Sequence, residues 1–150
     1  MANFDKYLTI IGNLHCAKYN GKIVIAKPAL LLAVVNAIEE KQVPENRFYW
    51  DENNPTFKAV SDNYKAIYQG YVPNDYLTPL FKPFYHLKFD RIWQIKTKGP
   101  CSMPVAASAG FLKEHLDYAS LDEDFWTLLQ SPENREAVKE ILLNKYIKSY

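Results

Sequence analysis

The sequence predicts an α+β fold: a single, mainly helical domain with a small antiparallel sheet or hairpin. Three observations carry that expectation. Apolar residues recur at helical spacing in the first and last thirds of the chain. The alternation expected of strands is confined to the middle, in residues 47–51 and 85–96. The overall order is helices, a small sheet, then helices, which is the α+β arrangement. At 150 residues the chain makes one domain, and a domain of that length buries roughly 70% of its unfolded surface. No internal repeat and no interdomain linker is visible.

Phe4, Tyr7, Leu8, Ile11 and Leu14 predict an amphipathic helix over residues 4–16, broken by Asn20-Gly21. Lys22 to Ala26 reads as a short extended arm. Pro28 suits the first residue of the next helix, where its missing N–H has no partner to lose. From Ala29 to Glu40 that helix is apolar nearly all round, which places it at the centre of the core. Val43-Pro44-Glu45-Asn46 turns the chain, and Arg47 to Asp51 alternates aromatics as a short strand. Asn53-Asn54-Pro55 starts a helix from Thr56 to Gln69, with Phe57, Val60, Tyr64 and Ile67 on one face and Gly70 as its stop. Residues 71–83 carry Pro73, Pro79 and Pro83 and read as a loop pinned by Tyr76, Leu77 and Leu80.

A proline corner, Phe81 to Phe84, then leads into a hairpin. Tyr85 to Leu87 begins the first strand, Asp90-Arg91 makes the turn, and Ile92 to Lys96 returns. Gly99-Pro100 and Pro104 mark the next turn. Phe111, Leu112, His115 and Leu116 predict a helix over residues 105–118. Ser120-Leu121-Asp122-Glu123 matches a capping box, in which serine and glutamate each satisfy a free backbone N–H. It opens a helix that buries Leu121, Phe125, Leu128 and Leu129. Ser131-Pro132-Glu133 starts a last helix, continued by Val138, Ile141, Leu142 and Tyr146.

Composition excludes several function classes. The hydrophobic share is 48% with only five glycines, so the chain is neither disordered nor low in complexity. Cys16 and Cys101 form no CxxC pair and suggest reduced thiols in the cytoplasm. Leu30 to Ala37 is too short for a bilayer, which needs about 20 apolar residues. The first residues lack the pattern of a signal peptide. A net charge of +1 gives no global argument for nucleic acid, so such a reading has to rest on local patches.

Catalytic machinery is hard to find. His15, His86 and His115 lie in separate elements, and no zinc-ligand spacing joins them to a cysteine. There is no Gly-rich phosphate loop and no GxSxG. Asp122, Glu123 and Asp124 sit in a first helical turn, where they oppose the helix dipole. No cofactor or metal is expected. Binding chemistry is better supported. Through residues 81–98, Lys82, Lys88, Arg91, Lys96 and Lys98 face a single acid, Asp90. Such a segment can neutralise phosphates, with Tyr85, Trp93 and Tyr49 available to pack beside sugar or base.

Four motifs in order carry a resemblance. They are Ala26-Lys27-Pro28-Ala29-Leu30-Leu31-Leu32, Asn46-Arg47-Phe48, Pro83-Phe84-Tyr85-His86-Leu87 ahead of Trp93, and Leu121 to Trp126 followed by Asn134-Arg135 to Tyr146. Together, over residues 5–147, the chain resembles the N-terminal DNA-recognition domain of HNH-type restriction endonucleases. Characterised members of that family look like readers of phosphorothioated DNA, in which sulfur replaces a non-bridging phosphate oxygen. The resemblance implies a non-catalytic module that binds double-stranded DNA. Lys82, Pro83, Phe84, Tyr85 and His86 would line an apolar pocket for sulfur, and Ala26-Lys27 would supply a flanking cation. Lys88 and Arg91 complete the DNA-binding candidates. Lys82 stands where the family usually has tyrosine, and Ala26-Lys27 where it often has histidine and a basic residue. The chain stops about where a nuclease domain begins in longer relatives, so an HNH domain or subunit is the implied partner and the chain alone is expected not to cut. Two other readings stay open. One is a divalent-metal nuclease using Asp90 or Asp75 with Gln94 and Lys96; the other is a protein-interaction domain.

Overall fold

In the computed structural model, which describes residues 3–148, one helix is the axis of the molecule. This is α2 (Ala26–Glu39), buried on every side from Ala26 to Ile38 except at Lys27 and Asn36. A helix without a polar face has to be surrounded, and α2 is. It packs against α3 (Pro55–Tyr71), α4 (Phe81–His86), α7 (Pro132–Ile141) and the π-helical turn Leu142–Ile147. The helix begins two residues before Pro28, so the proline falls within its first turn and still sacrifices no hydrogen bond.

The helix at the N-terminus, α1 (Phe4–Gly12), buries Tyr7 and Ile11 and ends earlier than the spacing predicts. Leu14 is buried beyond its end, so the apolar period outlasts the helix. Two strands follow, β1 (Lys18–Tyr19) and β2 (Lys22–Ile23), paired antiparallel about the Asn20-Gly21 turn. The expected arm is thus the second strand of a hairpin. Asn20 (φ 52°) and Gly21 (φ 78°) both adopt the left-handed conformation that a tight hairpin turn requires.

Helix α3 starts as expected: Asn54 accepts a hydrogen bond from the Phe57 N–H (3.1 Å), and Pro55 is the first helical residue. Gly70 does not stop it; the helix runs to Tyr71. The loop beyond is held by the hydroxyls of Tyr64 and Tyr68, which reach the Thr78 carbonyl (2.7 Å) and hydroxyl (3.3 Å). Leu80 packs on the core, whereas Tyr76 (78% exposed) and Leu77 (40%) do not pin the loop.

The expected hairpin at residues 85–96 is not formed. Residues 81–86 are α4, followed by a 3-10 turn, Leu87–Asp90, and by β3 (Trp93–Thr97). Pro83 lies in the first turn of α4, where no N–H is needed. Pro83, Phe84 and Leu87 share a buried side at helical spacing, and the Phe84 carbonyl accepts from the Trp93 indole at 2.7 Å. The partner of β3 is remote: β4 (Leu116–Leu121), antiparallel, with Trp93 opposite Leu121 and Ile95 opposite Ala119. The helix expected over residues 105–118 shrinks accordingly to α5 (Ala109–His115). Arg47 to Asp51 contributes a single bridge, Phe48 to Ala119, with N–H···O distances of 2.7 and 2.8 Å.

Helix α6 (Glu123–Leu128) does not use the expected capping box. Ser120 is a strand residue, and Asp122 occupies the cap position, where its backbone carbonyl accepts from the Trp126 N–H (2.9 Å) but its side chain caps nothing. Its carboxylate instead accepts from the Tyr7 hydroxyl (2.5 Å), and Glu123 accepts from Asn46 (3.3 Å). Helix α7 starts as expected, with Ser131 accepting from the Asn134 N–H and Pro132 first in the helix.

Candidate nucleic-acid interface

Asp90 organises the cleft beside the start of α2. Its side chain is 1% exposed, at the end of the 3-10 turn that follows α4. One oxygen accepts from the backbone N–H of His15 (2.8 Å) and lies 2.9 Å from that residue's imidazole Nδ1; the other accepts from the Lys27 ammonium at 2.7 Å. A buried carboxylate needs such partners, because its desolvation is otherwise uncompensated. The same contacts fix Lys27 in the first turn of α2 and hold the segment that leads into the β1–β2 hairpin.

The start of α2 has no side-chain cap and no acid in its first turn. The first N–H groups of a helix have no partner within it and carry the positive end of its dipole. Ala26 and Lys27 occupy that end and line the cleft. Helix α4 adds Lys82, Pro83 and His86 to the same wall, the first and last of these one turn apart. Burial, and then the charges of Lys27, Lys88 and Lys82, push His86 below the usual histidine range, so its ring is neutral at pH 7. Cys16 also lines the cleft, its thiol pushed up to about 11 chiefly by burial. The cavity measures about 960 Å³, with the β1–β2 hairpin and the segment 74–78 completing it. It combines cations and free N–H groups with a largely apolar wall, an arrangement that can hold an anion and a soft, weakly hydrated atom side by side.

Of the residues singled out from sequence, Lys27, Lys82, Pro83 and His86 come together here. Phe84 and Tyr85 are buried behind them. Phe84 packs edge-on against Trp50 and Trp93, and the Tyr85 hydroxyl donates to the Pro104 carbonyl at 2.5 Å. Lys88 turns back onto Tyr85, donating to its hydroxyl (3.0 Å) over its ring. Arg91 is exposed at the end of the 3-10 turn, in the left-handed conformation. Tyr19, Asn20 and Asn74 line the cleft without having been singled out, and so do His15 and Tyr76, which the sequence suggested only as a histidine without metal partners and as a loop anchor. Asn20-Gly21 carried the one available signal, a hairpin turn between lysines, although alone it reads equally as a helix stop.

Asp90 is an internal counter-ion with both oxygens engaged, which is not the state of a metal-binding acid. Gln94 and Lys96 are exposed on β3, where Lys96 reaches the Tyr118 hydroxyl at 3.4 Å. Among the described residues no group of three or more His, Cys, Asp and Glu is placed to hold a metal ion. Among them, too, no helix is long and apolar enough to cross a membrane.

Residues 5–150 match the family model of the ScoMcrA-like DNA sulfur-binding domain. The chain is similar to the solved sulfur binding domain of SprMcrA complexed with phosphorothioated DNA, with a TM-score of 0.69 and 19% identity over 96% of this chain and 85% of that one. The corresponding ScoMcrA complex gives a TM-score of 0.67 and 20% identity, over 93% of this chain and 86% of that one. A longer ScoMcrA structure, comprising the sulfur binding and SRA domains with phosphorothioated DNA, gives 0.68 and 18% identity; 93% of this chain is covered, but only 42% of that one. No curated protein matches the chain.

Proposed function

We propose that this chain, which belongs to the ScoMcrA-like DNA sulfur-binding domain family, is a non-catalytic module that binds double-stranded DNA and reads a phosphorothioate in its backbone. The supporting observation is the cleft in which the uncapped start of α2 and Lys82 meet the wall of Pro83, Ala26 and neutral His86. The N–H groups and the Lys82 ammonium hold the charged oxygens of the group. Sulfur is larger and more weakly hydrated than oxygen, so it occupies the apolar wall at a lower desolvation cost. Lys27 serves mainly as a positioned donor, because Asp90 already neutralises its charge. Phe84 and Tyr85 support the wall from behind, and Arg91 reaches the backbone beyond the cleft, joined by Lys88 once its ammonium leaves Tyr85. Such a module works with DNA in the cytoplasm, and cutting belongs to a partner nuclease domain or subunit of HNH type.

The experiment is a titration of labelled duplex carrying one stereodefined phosphorothioate against the same duplex without it, at two salt concentrations. Tighter binding of the sulfur duplex, with affinity falling as salt rises, is the expected result. Equal affinity for the two duplexes would remove sulfur from the reading, and no binding would remove DNA.

A further inference from the structure

The β3–β4 sheet is finished on one edge and open on the other. Along the outer edge of β4, Ala119 exchanges N–H···O bonds with Phe48 at 2.7 and 2.8 Å. The Asn46 side chain does the same for Leu121: its carboxamide donates to the Leu121 carbonyl (2.8 Å) and accepts from the Leu121 N–H (2.9 Å). In an antiparallel ladder, opposite residues alternate between pairs that exchange hydrogen bonds and pairs that do not. Ala119 spends both groups on Phe48, so Ile95 opposite it turns its own N–H and C=O away from β4. The Lys98 N–H bonds inward to the His115 carbonyl (2.9 Å), so the alternation turns Thr97 outward as well. Among the described residues no backbone hydrogen bond from another segment reaches Ile95 or Thr97, and both are half-exposed. Such an edge is a template for a further strand. Its charge is one-sided: residues 91–98 include Arg91, Lys96 and Lys98, all exposed, and no acid. The Lys96 ammonium is held over the Tyr118 ring at 5.1 Å, which fixes positive charge on the outer face of the sheet. None of residues 91–98 lines the cleft.

We propose that the open edge of β3 is a docking site for an extended, acidic segment of a partner protein, which joins the sheet as a further strand. The outward groups of Ile95 and Thr97 supply its main-chain hydrogen bonds, and the period of two decides which side chains it carries. Those beside Gln94 and Lys96 lie on the outer face, where carboxylates pair across the strands with the lysine. Those beside Ile95 and Thr97 lie on the inner face, where apolar side chains extend the packing of Ile95 on the core. The segment therefore alternates acidic and apolar residues. A second copy of this chain does not fit, because two β3 edges side by side would set Lys96 and Lys98 against the same cations. The site is independent of what the cleft binds and leaves the cleft open.

The test uses two synthetic peptides, one alternating valine with glutamate and one alternating valine with lysine, titrated into the labelled chain while amide hydrogen exchange is followed by NMR. The expected result is that the glutamate peptide slows exchange at the Ile95 and Thr97 amides by about tenfold, with the cleft residues unmoved. The lysine peptide should bind about tenfold more weakly. The double variant Lys96→Glu, Lys98→Glu should reverse that preference, a gain of binding that a misfolded chain could not show. Equal behaviour of the two peptides, including no response to either, would overturn the proposal. So would shifts near Lys96 without slowed exchange at Ile95, since the contact would then be charge attraction with no added strand. Slowed exchange at those amides on concentrating the chain alone would give the edge to a second copy and overturn the acidic partner.

Discussion

Lys27 and Lys82 line the same cleft but are in different electrostatic situations. Lys27 is paired at 2.7 Å with a carboxylate that is itself 1% exposed, whereas Lys82 is exposed on α4. Lys82→Ala should therefore weaken duplex binding and flatten the plot of log affinity against log salt by about one. Lys27→Ala should flatten it by less, since its charge is already compensated. Equal slope changes would mean that Asp90 releases Lys27 on binding. His86 gives a pH test. Burial and three lysines favour its neutral form, and a bound phosphate would favour the charged one. Proton uptake then accompanies binding, so affinity should rise as the pH falls towards the lowered range in which His86 of the free protein takes up its proton, and His86→Asn should remove that rise. A pH-independent affinity in the unaltered chain would separate His86 from the bound group. The sequence pointed to Lys27, Lys82, Pro83 and His86, but it could not reveal that Asp90 is buried and shared among His15 and Lys27. That arrangement joins segments 75 and 63 residues apart.

At the scale of elements, legibility followed how local the deciding physics was. The starts of α3 and α7 were readable because a cap residue and a following proline are contiguous in sequence. The buried helix α2 was readable from its unbroken apolar face. The middle of the chain was not, because β3 takes its partner from β4, beyond the whole of α5, and local spacing around Leu112 and Leu116 favours a helix there. A register shift between Lys96 and Thr97 further hides the alternation of β4. Residues 85–87 misled for the opposite reason: their aromatic, strand-favouring composition is overruled by the helical side that buries Phe84 and Leu87. The two serine caps separate these cases by measurement. Ser131→Ala should cost about 1 kcal/mol in denaturant unfolding. Ser120→Ala should cost within about 0.5 kcal/mol, because Ser120 lies in a strand and caps nothing. Equal losses would restore the capping box that α6 lacks.

For the whole molecule, the net charge of +1 says little, because function depends on where the charges are sorted. The helical layers around α2 present the uncapped end of that helix, one face of α4 and the projecting hairpin to a single cleft. The α+β class and the DNA-reading family were legible from composition and ordered motifs; the cleft was not, since it gathers residues from His15 to His86. A different surface competes in principle for a polyanion. On the outer face of the β3–β4 sheet, Arg47 and Lys96 lie over the Tyr118 ring at 4.6 and 5.1 Å. The measurement that tests the central claim most directly is an NMR titration of the labelled protein with a short phosphorothioated duplex, following backbone amides and the histidine rings. The expected result is shifts concentrated at residues 15–27, 74–78 and 82–86, with Arg47, Lys96 and Tyr118 unmoved. Shifts centred on that sheet face, with the cleft silent, would contradict the account.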